Sequence, residues 1–128
     1  MIFVDSNVPM YLVGRRHPNR DRLEQFLRSN PRRCYVTSAE VYQEIIHRYV
    51  AIDRREAIAD AFDFLDVLVE RIYPIRDDDV QQAHQIACRQ PELSGRDCLH
   101  LAVMDLREID SILSFDKGFD TADISRLP

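Results

Sequence analysis

The chain has 128 residues, a formal net charge of −5 and 45% hydrophobic residues, and only three of its residues are glycines. This length suits one domain with its own hydrophobic core, and we expect residues 1–128 to form a single domain. No apolar run approaches the roughly 20 residues of a membrane-spanning helix, and the N-terminus lacks the basic region and cleavage site of a secretory signal. The composition therefore argues against a disordered, a membrane-spanning or a secreted protein.

The three cysteines, Cys34, Cys88 and Cys98, are odd in number and lack C-x-x-C spacing. This usage is typical of a reducing compartment, and it favours neither a disulfide framework nor a zinc site. We therefore expect a cytoplasmic protein.

The negative net charge argues against nucleic acid as a partner, but the basic residues are unusual. All of them except Lys117 are arginines, and three pairs are adjacent, at 15–16, 32–33 and 54–55. Arginine guanidinium groups bind phosphate oxygens in a bidentate way, so arginines around an acidic centre would suit an RNA backbone. Solvated helix faces explain any single pair equally well, and charge alone does not decide between these interpretations.

Short apolar runs alternate with amphipathic segments along the chain. Residues 2–4 are apolar on both faces, as in a central parallel strand, and a short helix follows that Ser6 or Asn7 would cap. The remaining predicted elements are, in chain order, helix 19–29, strand 34–38, helix 38–51 with Ser38 as cap, helix 53–71, strand 71–75, helix 76–90, helix 94–109 and strand 110–116. Pro74 favours a sheet edge or a strand end for strand 71–75. This order predicts an α/β domain with helices on both faces of a parallel sheet.

Two predicted strands end in an acid, Asp5 after the first and Asp116 after the last. Each acid by itself is more typical of a turn or a cap. Open parallel sheets, however, bind ligands beyond the carboxyl ends of their strands, where both acids are expected to lie. Two acids at equivalent positions therefore indicate a site at this edge of the sheet.

Two predicted helices add further acids. On helix 38–51 both Glu40 and Glu44 lie outside the apolar arc; Glu44 is nearer its boundary, but periodicity does not separate the two. Asp97 follows Ser94 at capping-box spacing, in a helix that is apolar almost all round. An acid there needs compensation, which a cap or a metal ion would provide. Converging carboxylates of this kind favour Mg²⁺ or Mn²⁺ and phosphodiester hydrolysis.

The segments "VDSN", "TSAEVYQEI", "SGRDCLHLAV" and "ILSFDKGFD" resemble the PIN domain, in particular the VapC-type toxins of toxin–antitoxin pairs. The resemblance spans essentially the whole chain and implies a three-layer α/β/α fold with a central parallel sheet of four to five strands. It implies Asp5, Glu44, Asp97 and Asp116 as catalytic acids, with Asp5, Asp97 and Asp116 as metal ligands. It also selects Glu44 over Glu40, because the glutamate of the family precedes an apolar helix residue.

The resemblance further implies supporting roles for Asn7, Ser114 and Arg96, and ranks Asp120 below the four acids. For His100, beside Asp97, an ordinary core histidine is the favoured interpretation. By resemblance the protein is a Mg²⁺- or Mn²⁺-dependent endoribonuclease toxin that cuts structured RNA. A cognate VapB-type antitoxin would inhibit it by laying a segment across the acids, and a homodimer and a toxin–antitoxin hetero-oligomer are implied.

Three other classes of protein compete with this interpretation. A receiver domain needs an acid pair after the first strand. A haloacid-dehalogenase-like phosphatase needs D-x-D there, but the position of the second aspartate is occupied by Asn7. Neither fits. A PIN-like scaffold that only binds a protein or an RNA is the third alternative. Four retained acids argue against it, because clustered carboxylates without a cation are costly.

Overall fold

The computed structural model describes residues 1–128 and consists of a five-stranded sheet with helices on both faces. The strands are β1 (Ile2–Val4), β2 (Tyr35–Ser38), β3 (Arg71–Tyr73), β4 (Ser111–Leu113) and β5 (Ser125–Leu127). The α-helices are α1 (Asn7–Val13), α2 (Pro18–Ser29), α3 (Ala39–Ala51), α4 (Ile58–Leu68), α5 (Asp77–Arg89) and α6 (Gly95–Asp105). Every strand pair is parallel, so the predicted three-layer α/β/α fold is confirmed.

The strands are arranged in the order β3-β2-β1-β4-β5, with β1 at the centre. All three residues of β1 are fully buried, as its apolar sequence predicts. Helices α1 to α4 pack against one another, and α5 packs against α6, which separates the two helical layers. The chain leaves β1 toward β2 on one side and returns to β4 on the other, so the carboxyl end of β1 is a topological switch point.

Most predicted elements form within a few residues of their predicted bounds, and β3 lies at the sheet edge as Pro74 indicated. The predicted helix 53–71 is wrong at its start. Asp53 has a positive φ of 56°, a 3₁₀ turn spans Arg55–Ala57, and α4 begins only at Ile58. Strand β5 was not predicted, because its three residues carry little apolar signal and none is fully buried.

Two predicted helix caps are also wrong. Ser6 precedes α1 and Ser38 precedes α3, but neither side chain makes a capping hydrogen bond. The Ser6 hydroxyl is used in a tertiary contact instead, and the Ser38 hydroxyl is buried without a partner. The cap from Ser94 to the N–H of Asp97 does form, at 3.1 Å. No helix is both long enough and apolar enough to cross a membrane.

Candidate active site

The centre of the site is Asp5, which is only 4% exposed at the carboxyl end of β1. Its Oδ2 accepts hydrogen bonds from the Ser114 hydroxyl at 2.6 Å and from the Asn7 amide at 3.2 Å, and its Oδ1 accepts one from the N–H of Ser6 at 2.7 Å. Burial raises the pKa of Asp5, although the charge of His100 and the Ser114 hydrogen bond oppose the rise. A buried, hydrogen-bonded carboxylate is thus held at the switch point.

Asn7 and Ser114 join the ends of β1 and β4. The Asn7 amide also donates to the Ser114 hydroxyl at 3.2 Å, and its Oδ1 accepts the N–H of Phe115 at 3.3 Å. The N–H of Asp116 donates to the Ser114 hydroxyl at 3.0 Å. These hydrogen bonds connect the two predicted strand-end acids, Asp5 and Asp116, through the side chains of Asn7 and Ser114.

Glu44, on the second turn of α3, reaches the same site. Its Oε1 accepts the Ser6 hydroxyl at 2.7 Å, and its Oε2 lies 3.0 Å from His100 Nε2. Burial by itself would raise the pKa of Glu44, but the hydrogen bonds from His100 and Ser6 outweigh it and lower the pKa. Glu40 makes no side-chain hydrogen bond or ion pair, so of the two glutamates on this helix the structure brings Glu44 into the site.

His100 lies on α6 and is only 1% exposed. Its Nε2 is 3.9 Å from Asp5 Oδ1 as well as 3.0 Å from Glu44 Oε2, while its buried Nδ1 has no partner. Burial by itself would lower the pKa of His100, but the hydrogen bond to Glu44 and the charges of Asp5 and Asp97 outweigh it and raise the pKa. The raised pKa favours the protonated ring, and the contacts of Nε2 with Glu44 and Asp5 place His100 at the acidic cluster, which the core-histidine interpretation did not anticipate.

Asp97 and Asp116 complete the cluster on the solvent side. Burial, followed by the negative charges of Asp116 and Asp5, raises the pKa of Asp97 to about 6. The two carboxylates flank Gly118, where a Cβ atom would lie 3.1 Å from Asp116 Oδ1 and 3.5 Å from Asp97 Oδ2. The absence of a side chain at Gly118 thus keeps the space between these carboxylates open.

Two other predicted residues lie at the margin. Asp120 is paired with Arg126 through two hydrogen bonds of 2.7 and 3.0 Å, and this pairing lowers the pKa of Asp120. Asp120 is therefore engaged away from the other acids. Arg96, half-buried beside Asp97, makes no hydrogen bond or ion pair, and its charge contributes to the lowered pKa of Glu44.

The donor set suits a hard divalent cation. One carboxylate oxygen of Asp5 and one of Glu44 lie within 4.8 Å of each other and of a ring nitrogen of His100. His100 Nε2 is engaged with Glu44, so the carboxylate oxygens are the available ligands. Asp97 and Asp116 add carboxylate oxygens next to the open space at Gly118. Carboxylate oxygens are the ligands that Mg²⁺ and Mn²⁺ prefer, and no cysteine contributes a softer ligand. The raised pKa of Asp97 shows that ionising this carboxyl group beside other acids is unfavourable, and a bound cation would offset that repulsion.

Parallel strands, a switch-point aspartate and a cluster of carboxylates define a class of α/β folds with an acidic site beyond the carboxyl ends of their strands. The sequence pattern of the family described as "PIN domain" matches residues 2–124, and the chain belongs to this family. Ribonuclease VapC13 of Mycobacterium tuberculosis is 50% identical over 123 residues, which cover 94% of each chain.

Two solved structures share the fold. The crystal structure of Mycobacterium tuberculosis VapC20, described as a sarcin–ricin loop cleaving toxin, superposes with a TM-score of 0.82 at 24% identity and covers 97% of this chain and 96% of that one. A toxin–antitoxin complex from Klebsiella pneumoniae superposes with a TM-score of 0.71 at 14% identity and covers 100% and 97%. The PIN-domain resemblance inferred from the sequence is confirmed.

Proposed function

We propose that this chain is the ribonuclease toxin of a toxin–antitoxin pair, dependent on Mg²⁺ or Mn²⁺. The observation that carries the proposal is the meeting of Asp5, Glu44, Asp97 and Asp116 at the carboxyl edge of the sheet. The 50% identity to a ribonuclease over 94% of the chain supports an RNA substrate. The products are two RNA fragments, formed when water adds across one P–O bond of the backbone.

Asp5, Asp97 and Asp116 are the residues that would hold the cation. When bound, a divalent cation would neutralise part of their charge and polarise the phosphodiester of the substrate. Asp5 is the rigid member, because Ser114, Asn7 and Ser6 fix both of its oxygens. Asp97 and Asp116 lie nearer to solvent, where a phosphate has access.

Glu44 is assigned the role of the base that orients the attacking water. Its lowered pKa keeps it ionised at neutral pH, and hydrogen bonds from His100 and Ser6 hold its two oxygens in place. Each carboxylate oxygen has a second lone pair, so Glu44 is able to accept a proton from water while both bonds persist. The leaving RNA oxygen takes a proton from solvent, and Glu44 releases to solvent the proton it accepted, which completes the hydrolysis.

A VapB-type antitoxin is the proposed protein partner, supported by the VapC relative and by the toxin–antitoxin complex that shares this fold. A segment laid across the acids would block the phosphate, and a basic side chain would complement the negative cluster. A homodimer is proposed on the family resemblance. The cytoplasmic location stays a prediction. All three cysteines are free thiols, which is compatible with a reducing compartment.

The decisive experiment is cleavage of total cellular RNA by the purified chain with Mg²⁺, with Mn²⁺ and with EDTA, alongside Asp5→Asn and Asp120→Asn. We expect discrete fragments that require metal, disappear with Asp5→Asn and persist with Asp120→Asn, because Asp120 is paired with Arg126 outside the cluster. A folded, antitoxin-free wild type that cleaves nothing with either metal contradicts the proposal and favours a binding scaffold.

A further inference from the structure

A small cleft adjoins the acidic cluster on its α1 side. It has a volume of about 260 Å³ and is lined by Asn7, Met10, Tyr11 and Arg48. Asn7 belongs to both the acidic cluster and the cleft: its side-chain amide donates hydrogen bonds to Asp5 and Ser114, and Asn7 also lines the cleft. The cleft is therefore continuous with the proposed site of hydrolysis.

Tyr11 is the aromatic wall of this cleft, and other rings support it. Its ring centroid lies 5.0 Å from that of His17 and 5.3 Å from that of Phe115, the latter at an edge-on angle of 79°. Phe115 in turn has the guanidinium of Arg22 at 5.4 Å from its centroid and directly precedes Asp116. Tyr11 is thus a ring held in place beside the acids, with a hydroxyl that has no partner in the protein.

Arg48 supplies positive charge at the same cleft. It is exposed on α3, one turn beyond Glu44, and it makes no hydrogen bond or ion pair. A free guanidinium next to a half-buried aromatic ring that lines a cleft is a combination by which proteins hold single-stranded nucleic acid: the ring stacks on a base and the cation contacts the backbone. The volume lies below the roughly 300–1,000 Å³ of ordinary small-molecule pockets, which suits one planar base.

We propose that this cleft, defined by Asn7, Met10, Tyr11 and Arg48, binds one unpaired base of the RNA substrate beside the cleaved bond. Tyr11 stacks on the base, and Arg48 contacts an adjacent phosphate. The inference rests on the proposed ribonuclease function and assigns to Tyr11 and Arg48 the contacts with the base and the backbone next to the cleavage site. Duplex RNA, whose bases are stacked and paired, does not offer such a base.

The test is equilibrium binding of two labelled probes, a single-stranded oligoadenylate and an abasic oligomer of the same length, with Ca²⁺ as the cation and probe integrity checked afterwards. We expect the wild type to prefer the oligoadenylate. Tyr11→Leu should weaken oligoadenylate binding about tenfold and leave the abasic probe unchanged. Tyr11→Phe, the matched control, should retain the preference. Arg48→Ala should weaken both probes alike and reduce the salt slope by about one.

Thermal unfolding establishes that each variant is folded, and Arg48→Ala, an exposed change, keeps the test informative if Tyr11→Leu fails to fold. A wild type that binds both probes equally, or binds neither, overturns the inference. A folded Tyr11→Leu variant with unchanged binding also overturns it. Cleavage of total RNA by the wild type is measured in parallel. If the wild type cleaves RNA but shows no preference for the oligoadenylate, only the base-binding inference is wrong and the proposed ribonuclease function stands.

Discussion

His100 Nε2 lies 3.0 Å from Glu44 Oε2, although 56 residues separate the two in the chain. The contact joins α6 to α3 beneath the acidic cluster and gives Glu44 a fixed orientation. His100 is fully buried, and it acts on the proposed reaction as a positioning residue that orients Glu44.

Replacing His100 should therefore impair RNA cleavage. We expect His100→Ala to reduce the cleavage rate about 10- to 100-fold, the usual effect of losing a hydrogen-bond partner behind a metal-site carboxylate. His100→Gln, which keeps an N–H donor, should recover part of the loss, and His84→Ala, an exposed change on α5, should have none. Initial rates on total RNA with Mg²⁺ measure the effect. Equal losses in His100→Ala and His100→Gln would contradict a positioning role.

The two glutamates of α3 should differ sharply in function. Glu44→Gln removes a charge that receives hydrogen bonds from Ser6 and His100, whereas Glu40→Gln changes a side chain with no such contacts. We expect a loss of at least about 100-fold in cleavage rate for Glu44→Gln, in line with loss of a general base, and little change for Glu40→Gln. The same loss in both variants would show that the effect is one of overall charge.

Cation binding should be visible in stability without any cleavage. Mg²⁺ should raise the melting temperature of the wild type, because it binds the folded site and not the unfolded chain. The same addition should have little effect on Asp97→Asn and should still stabilise Asp120→Asn. Calorimetry with and without Mg²⁺ gives the comparison, and equal stabilisation of wild type and Asp97→Asn would remove Asp97 from the ligand set.

In metal-free buffer Asp97→Asn should be more stable than the wild type. The Asp97 carboxylate is half-buried beside Asp116 and Asp5, and these effects raise its pKa to about 6, so its ionised form opposes folding at neutral pH. After allowance for solvent screening we expect a gain of about 1 kcal/mol in the free energy of unfolding. Because the folded-state pKa is raised, this gain should shrink as the pH falls through about 6. Urea unfolding at both pH values tests the sign.

A second carboxylate should have the opposite pH dependence. Asp79 is buried on α5 and accepts a hydrogen bond from Arg107 at 2.6 Å and one from the N–H of Arg76 at 2.8 Å. Burial by itself would raise the pKa of Asp79, but these bonds outweigh it and lower the pKa. The ionised Asp79 therefore stabilises the folded protein at pH values above the ordinary pKa of a carboxyl group. This stabilisation is lost as the pH falls through the lowered pKa of Asp79.

We accordingly expect Asp79→Ala to lower the free energy of unfolding by about 2 to 3 kcal/mol at neutral pH, because Arg107 and the N–H of Arg76 lose their acceptor. The deficit relative to wild type should narrow in acid. Urea unfolding at neutral and acid pH measures it, with Asp78→Ala, an exposed change on the same helix, as the control. A deficit that stays constant with pH would mean that the ion pair is not its cause.

The sequence by itself determined four of the five strands, most helices and the two strand-end acids. Ile2, Phe3 and Val4 form a run apolar on both faces, which indicates a central strand, and parallel strands bring Asp5 and Asp116 to one edge of the sheet. Periodicity did not separate Glu40 from Glu44, and the family resemblance selected Glu44. Tertiary structure alone showed that Ser6 and His100 bond to Glu44. Periodicity describes one helix at a time, whereas these contacts join elements far apart in the chain, and their partners are set only when the helices pack on the sheet.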